Sequence, residues 1–257
     1  MGAIRPDVPS VVVTFPPSAP ALSDVRRVLA VFAHPDDVDF GAAGTVAGWV
    51  DAGIEVAYLL VTRGDAGGFD DTPREQMPTI REKEQRAAAA AVGVKQVDFL
   101  DGYADGTVTP TLTLRRDITA AIRRFRPDRI LTSSPLRRWE RLSGPSHPDH
   151  LAVGEATTCA IYPDARNPFA FPELLRDRLE PWVVREVWYS GGPSPDHAVD
   201  VTDAYPRKVL ALRAHVSQTA HLDPDDGWLR DRMVATAAAA GLPDGRLAEA
   251  FTVLRTE

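Results

Sequence analysis

The chain has 257 residues, 44% of them hydrophobic and 25% charged, and 29 basic against 36 acidic side chains leave a net charge of −7. That composition suits one large α/β domain and excludes a collagen, a coiled coil and a wholly disordered chain. The acidic balance, with no dense Lys/Arg block, argues against a nucleic-acid partner, no apolar run approaches the roughly 18 residues of a membrane span, and a single cysteine, Cys159, excludes an intrachain disulfide framework and a cysteine-rich zinc site.

Residues 1–24 carry Pro6, Pro9, Pro16, Pro17 and Pro20 and read as an extended arm ahead of a single domain over 25–257. No basic start leads into a long apolar stretch, so no signal peptide is expected and the chain is placed in the cytoplasm. Arg27–Ala33 is a short apolar run with the look of a buried strand, followed by HPDDVDFGAAG, read as a loop. Thr45–Ala52 reads as a helix, Ile54–Thr62 as a second buried strand and Gly64–Asp71 as a Gly/Asp loop. A long helix is expected over Arg74–Val92, closed by Gly93. Gln96–Leu100 and Arg129–Ser133 read as strands around a helix at Leu114–Phe125 that stops before Pro127. A helix at His150–Ile161, strands at Val183–Ser190 and Ala198–Val201, and helices at Ala204–Gln218 and Trp228–Ala240 complete the series. Strands alternating with helices predict a Rossmann-like α/β fold, a mostly parallel sheet with helices on both faces.

In such sheets ligands bind beyond the carboxyl ends of the strands. His34-Pro35-Asp36-Asp37 follows the first strand, and His147-Pro148-Asp149-His150 follows the strand at Arg129–Ser133 after a polar loop. A single His-Pro-Asp turn is ordinarily just a turn, with Asp capping the next helix. Two of them at strand ends of one sheet point to a site. Imidazole and carboxylate are the ligands zinc takes when cysteine is absent, and a catalytic zinc keeps three protein ligands and an open position for water. His34, Asp37 and His150 make such a set. Asp36 is left as a general base on a water whose pKa zinc lowers to about 7. His147 is placed to stabilise an oxyanion or protonate a leaving amine, with Asp149 holding its ring in the working tautomer. Asp39 reads as a cap or an ion-pair partner and Cys159 as core. Gly41 and Gly44 read as close helix–strand packing, since the dinucleotide and P-loop fingerprints are absent. Gly64, Gly67 and Gly68 read as a flexible rim, beside Arg63.

These residues resemble the LmbE-like, or PIG-L, family of zinc-dependent de-N-acetylases. The resemblance runs in order through AHPDD (Ala33–Asp37), GAAGT, VTRGDAGG (Val61–Gly68), the Arg81-x-x-Glu84 helix, RPDRILTSSP, HPDHLAVGEA (His147–Ala156) and ALRAHVSQ (Ala211–Gln218). It implies the family's fold over roughly residues 27–218. His34, Asp37 and His150 match its metal ligands, Asp36 its base, His147 its carbonyl-polarising histidine and Asp149 the acidic partner of that histidine. Arg81 and Asp105 match residues that contact substrate in sugar-processing members. Two positions depart from the pattern: Val38 stands where Glu is usual after the first motif, and Pro145 where some members carry a mobile Tyr.

The implied reaction is attack by zinc-bound hydroxide on a linear amide, removing acetyl from an N-acetylated amino-sugar-type small molecule. An amidase acting on thiol S-conjugates would use the same site with a different acyl pocket, shaped by Leu136–Pro145 and Tyr162–Leu175. The aromatic residues of Tyr162–Leu175 fit either a pocket lining or a packed loop. A metal-free binding protein on this scaffold would lack ligands or base, and His34, Asp36, Asp37 and His150 are all present. The donor set fits one Zn2+ per chain and also admits Fe2+ or Co2+. In a homo-oligomer, the proline-rich arm and the C-terminal helix are the segments expected to carry subunit contacts.

Overall fold

The computed structural model describes residues 21–69, 71–222 and 227–257, so the expected proline-rich arm lies outside the described residues up to position 20. Five strands, β1 (Arg27–Phe32), β2 (Glu55–Leu60), β3 (Gln96–Phe99), β4 (Arg129–Ser133) and β5 (Glu186–Ser190), run parallel. β6 (His197–Asp200) and β7 (Ala248–Arg255) extend the sheet to the order β3-β2-β1-β4-β5-β7-β6. β7 pairs antiparallel with both β5 and β6, so among the described strands it alone runs against the rest.

The mostly parallel sheet is as expected, but β7 is missing from the elements that the sequence pattern suggests. Only Ala248, Glu249 and Phe251 of its eight residues are buried, and it ends exposed at Leu254 and Arg255. It therefore lacks the continuous apolar run that marks a strand covered on both faces. β1 shows that run and its cause. Val28, Ala30 and Phe32 point into one core layer, and Leu29, Val31 and Ala33 into the other. With side chains alternating across the pleat, both faces demand apolar residues.

α1 (Asp37–Asp51), α2 (Met77–Ala91) and α6 (Tyr205–Ala214) cover the first face. α3 (Leu112–Phe125) and α4 (Pro148–Cys159) cover the second, through Leu114, Ile118, Ile122, Val153 and Ala156. The short α5 (Glu173–Arg176) and α7 (Val216–Thr219) and the C-terminal α8 (Trp228–Ala239) complete the set. Among the described residues no helix is long and apolar enough to cross a membrane.

Four local expectations change. The residues after the first strand are helical from Asp37 onward rather than a loop. Gly41 and Gly44 weaken local propensity, yet they let α1 lie flush on the sheet. A Cβ at Gly41 would come within 2.5 Å of Ser190 Oγ, and one at Gly44 within 2.7 Å of Val201 Cβ, which bears out the close-packing reading. The helix expected over Ala204–Gln218 breaks at His215, where φ −84° and ψ 58° separate α6 from α7. Cys159 is half-buried rather than core, with its thiol 3.6 Å from Glu155 Oε1. The segment 164–170 is a packed loop. The buried Arg123 donates to the carbonyls of Asp164, Asn167 and Ala170 at 3.0, 2.8 and 3.1 Å.

A buried ion pair ties the late elements to α1. Lys208 Nζ on α6 meets Glu249 Oε1 on β7 at 2.7 Å, and both side chains are almost wholly enclosed. Lys208 also donates to Asp39 O and Phe40 O, while Glu249 accepts the N–H groups of Gly44 and Thr45. Buried charges persist when their remaining hydrogen bonds are filled in this way.

The position of the functional loops follows from strand order. β1 is flanked by β2 on one side and β4 on the other. The chain therefore reverses its direction of winding between β1 and β4, and a crevice opens there beyond their carboxyl ends. Both His/Asp tetrapeptides lie at this crevice.

Candidate active site

The first motif is a tight turn between β1 and α1. His34 is buried, and its N–H donates to Asp37 Oδ2 at 2.8 Å. Asp36 adopts φ +91° and ψ −26°, a left-handed conformation that costs a side-chain-bearing residue about 1–2 kcal/mol. The turn starts α1 at Asp37 and leaves the Asp36 side chain uninvolved in capping it. Asp36 is fixed at both ends by α2. Its N–H donates to Gln85 Oε1 at 2.8 Å, and its Oδ2 accepts from Arg81 Nη2 at 3.2 Å. Burial raises the Asp36 pKa and Arg81 pulls it back, leaving it at about 6.

The donors expected to hold a metal converge. His34 Nδ1 lies 3.1 Å from His150 Nε2. His150 Nε2 lies 2.9 Å from Asp37 Oδ1, and His34 Nδ1 lies 3.5 Å from Asp37 Oδ2. A tetrahedral ion with ligand bonds of about 2.0–2.1 Å separates its ligand atoms by about 3.3 Å. The three groups thus form a triangle of the size such an ion requires. Burial disfavours a charge on Asp37, but His150 and His34 outweigh it and hold the carboxyl well below the usual carboxylate range.

The far side of the His34 ring faces acid. His34 Nε2 lies 2.9 Å from Asp105 Oδ1 and 3.0 Å from Asp149 Oδ2. Burial opposes a charge on this ring, and Asp37, Asp105 and Asp149 outweigh it, pushing its pKa up to about 12. A carboxylate on one ring nitrogen of a ligating histidine fixes the tautomer, leaves the other lone pair for the metal and raises its basicity. The surplus of carboxylates around one imidazole also favours a bound cation. The donor chemistry and spacing both fit a divalent metal.

This arrangement corrects the expected role of Asp149. Its carboxylate is committed to His34 and to the N–H groups of Gly106 (2.7 Å) and Val108 (3.2 Å). His147 meets only the backbone of Asp149, whose N–H donates to His147 Nδ1 at 3.2 Å. With Nδ1 accepting, the neutral ring carries its proton on Nε2. Burial, then the neighbouring His34 and His150, lower the His147 pKa and favour that neutral form. The three imidazoles lie close together, with ring centroids 5.0 Å (His34 to His147), 5.1 Å (His34 to His150) and 5.2 Å (His147 to His150) apart.

Arg81 and Asp105 also sit differently from the substrate contacts implied by the resemblance. Arg81 is only 3% exposed. Its guanidinium bonds to Pro35 O (2.5 Å) and Gly64 O (3.0 Å) as well as to Asp36. It braces the two loops against each other. Gly64, with φ +65°, and Gly67 leave room for it, since a Cβ at either would collide with the Arg81 side chain. These glycines are a cradle for a buried cation, not a flexible rim. The Asp105 carboxylate faces His34 Nε2 and accepts the Ala66 N–H at 3.2 Å. Arg63, the other residue read at this rim, pairs with Glu82 and Asp101.

Three residues close to the site have no role in the expectation above. Gln85 touches Asp36, and Gln85 and His215 both bond to Asp39. The ion-pair reading of Asp39 is borne out, with His215 Nε2 at 2.8 Å. One sequence signal was available: Gln85 follows Arg81 by four residues on one helix, so the two share a face.

Comparison with known proteins agrees with this geometry. The family model PIG-L, GlcNAc-PI de-N-acetylase, matches residues 29–161. Diacetylchitobiose deacetylase of Thermococcus kodakarensis is 32% identical over 211 residues, spanning 80% of this chain and 73% of that protein. A probable N-acetyl-alpha-D-glucosaminyl L-malate deacetylase of Bacillus anthracis is 31% identical, over 77% of this chain and 84% of that one. The solved structure of N,N'-diacetylchitobiose deacetylase from Pyrococcus horikoshii superposes with a TM-score of 0.80 at 29% identity, covering 90% of this chain and 84% of that chain. Paired His/Asp loops at one switch point, a family match across both of them and relatives alike over most of their length have one reading: the chain belongs to the PIG-L, or GlcNAc-PI de-N-acetylase, family.

Proposed function

We propose that this protein is a zinc-dependent deacetylase that hydrolyses the acetamide of a small N-acetylated amino sugar, releasing acetate and a free amine. The observation that carries the proposal is the convergence of His34 Nδ1, His150 Nε2 and the Asp37 carboxylate within 3.5 Å of one another, with Asp36 braced beside them. His34, Asp37 and His150 would hold the metal, and zinc fits the donor set, as ferrous iron or cobalt also would. When bound, the metal supplies Lewis acidity, polarising the acyl oxygen and acidifying water. The named relatives that act on diacetylchitobiose and on a glucosaminyl malate support an acetylated sugar as substrate.

The protein's own groups divide the remaining work. Asp36, with a pKa of about 6, is ionised at neutral pH and takes a proton from the attacking water. The same carboxyl can return that proton to the nitrogen as the carbon–nitrogen bond breaks. His147 donates its Nε2–H to the acyl oxygen as negative charge develops there, its tautomer set by the Asp149 N–H. Asp149 and Asp105 orient His34, and Arg81 orients Asp36.

Metal content of the purified protein, measured beside amine release from a panel of N-acetyl amino sugars and thiol S-conjugates, tests the reading. About one zinc per chain is expected, with chelator-sensitive release from the acetylated sugars. Asp36→Ala should retain zinc and lose turnover by about 10²–10⁴-fold, and His147→Ala should retain zinc with reduced turnover. Loss of zinc in Asp36→Ala would overturn the ligand assignment. Failure to bind metal after reconstitution would overturn the mechanism.

A further inference from the structure

Behind Asp36 lies a chain of polar side chains that the chemistry above does not use. Gln85, Asp39 and His215 are each 0% exposed. They come from three elements: Gln85 from α2, Asp39 from α1 and His215 from the break between α6 and α7. His215 Nε2 lies 2.8 Å from Asp39 Oδ2, and the same oxygen accepts from Gln85 Nε2 at 2.8 Å. The other end of the Gln85 amide, Oε1, accepts the Asp36 N–H at 2.8 Å.

The polarity of this chain is fixed from one end to the other. Asp39 is acceptor-only when ionised, so Gln85 must turn its NH₂ toward Asp39 and its carbonyl toward Asp36. That carbonyl is the partner of the one backbone N–H that the left-handed turn at Asp36 aims away from its own helix. A buried N–H without a partner is costly, and a non-glycine residue in a left-handed conformation persists only where its surroundings over-determine it. Arg81 contacts the carboxylate end of Asp36, leaving the backbone end to Gln85.

We propose that Gln85, locked by Asp39 and His215, is a positioning residue that holds Asp36 in the left-handed turn from which it acts on substrate. The inference rests on Asp36 being the base, and it assigns a role to the ALRAHVSQ segment that the metal chemistry leaves unexplained. The break at His215 follows from the same contact, because it carries the ring to Asp39 beneath the turn.

The test combines kinetics with a measurement that needs no turnover. Zinc-loaded Gln85→Leu should keep its metal and hold KM within about twofold while kcat falls about tenfold or more, the pattern of a mispositioned base. The Asp36 backbone amide, protected in the native protein, should exchange with solvent at least about tenfold faster in that variant. Gln85→Glu is close to isosteric but sets a carboxylate against Asp39, and it should also lose kcat. Gln85→Glu combined with Asp39→Asn restores the donor–acceptor order, since the introduced amide can then donate both to the introduced carboxylate and to His215 Nε2. His215 Nδ1 has no hydrogen-bond partner among the described residues, so the ring is free to take the tautomer this needs. The double variant should recover kcat to within about threefold of the native enzyme. Native kcat and slow Asp36 exchange in Gln85→Leu would overturn the proposal, as would a double variant no better than Gln85→Glu. Should Gln85→Leu fail to fold, the Gln85→Glu pair decides. Should the native protein release no amine from any acetylated substrate, the deacetylase reading fails, and Asp36 amide exchange in native protein and Gln85→Leu still decides whether Gln85 holds the turn.

Discussion

At the scale of single residues, the site is a question of which atom of each ring faces which oxygen. His34 shows this best. Its Nδ1 joins the donor triangle, while its Nε2 faces two carboxylates. Removing the charge at Asp149 should therefore weaken metal binding although Asp149 touches no metal. Asp149→Asn is expected to raise the zinc dissociation constant by about 10–100-fold, measured by titration against a competing chelator. An unchanged constant would mean that Asp105 alone orients the ring. The identity of the ligands could be read from two tetrapeptides, because residue type and strand-end position carry that information. The partner of Asp149 could not. Asp149 lies two residues from His147 and 115 from His34, so proximity in sequence favoured the wrong ring. Asp149 is the second residue of α4, which directs its carboxylate across the crevice while its N–H remains beside the capping His147.

At the scale of elements, α2 is the brace of the site. Arg81 and Gln85, four residues apart, face the Asp36 turn, and Glu84 on the same helix accepts from Ser217 N and Oγ at 2.7 Å each. One helix thus fixes both the turn after β1 and the start of α7. α3 serves a different purpose: its buried face fills the second core layer and its N-terminus is capped independently of the site. Thr111 Oγ1 accepts the Leu114 N–H at 3.2 Å. Thr111→Ala should cost about 1 kcal/mol, seen as a lower urea midpoint with an unchanged slope, and turnover should stay native. A loss of turnover would show that α3 is coupled to the site. The strongly apolar elements were legible from pattern alone, while β7 was not. Its partly exposed face carries mixed residues, and it is a strand because β5 and β6 leave a slot between them.

At the scale of the whole molecule, the late segments complete what the early ones begin. Lys208 and Glu249 are inserted beside α1, and His215 reaches Asp39 at the base of the metal loop. This sets a pH dependence. Burial disfavours a charge on His215, but Asp39 outweighs it and the pKa is raised. A folded pKa above the unfolded value of about 6.5 gives stability that is fully present below that value and lost as pH rises through the folded one. His215→Gln should therefore destabilise the protein more at pH 6 than at pH 9, as read from denaturant midpoints at the two values. An equal loss at both would mean that His215 is neutral in the folded protein.

The order of amino acids alone establishes the alternation of buried strands and helices, the sheet class, the two His/Asp loops at strand ends and the family. All of these are local signals: a period of two or of 3.6, a proline or glycine at a boundary, a tetrapeptide of ligand-forming residues. The folded chain settles the rest. It placed β7 between β5 and β6, turned Asp149 to His34, buried Arg81 beneath the loops instead of beside a substrate, and joined His215 to Gln85 through Asp39. Each of these depends on the direction of a side chain, or the space between strands, set by residues tens to more than a hundred positions away. Periodicity reports which face of an element is buried, but not what it is buried against.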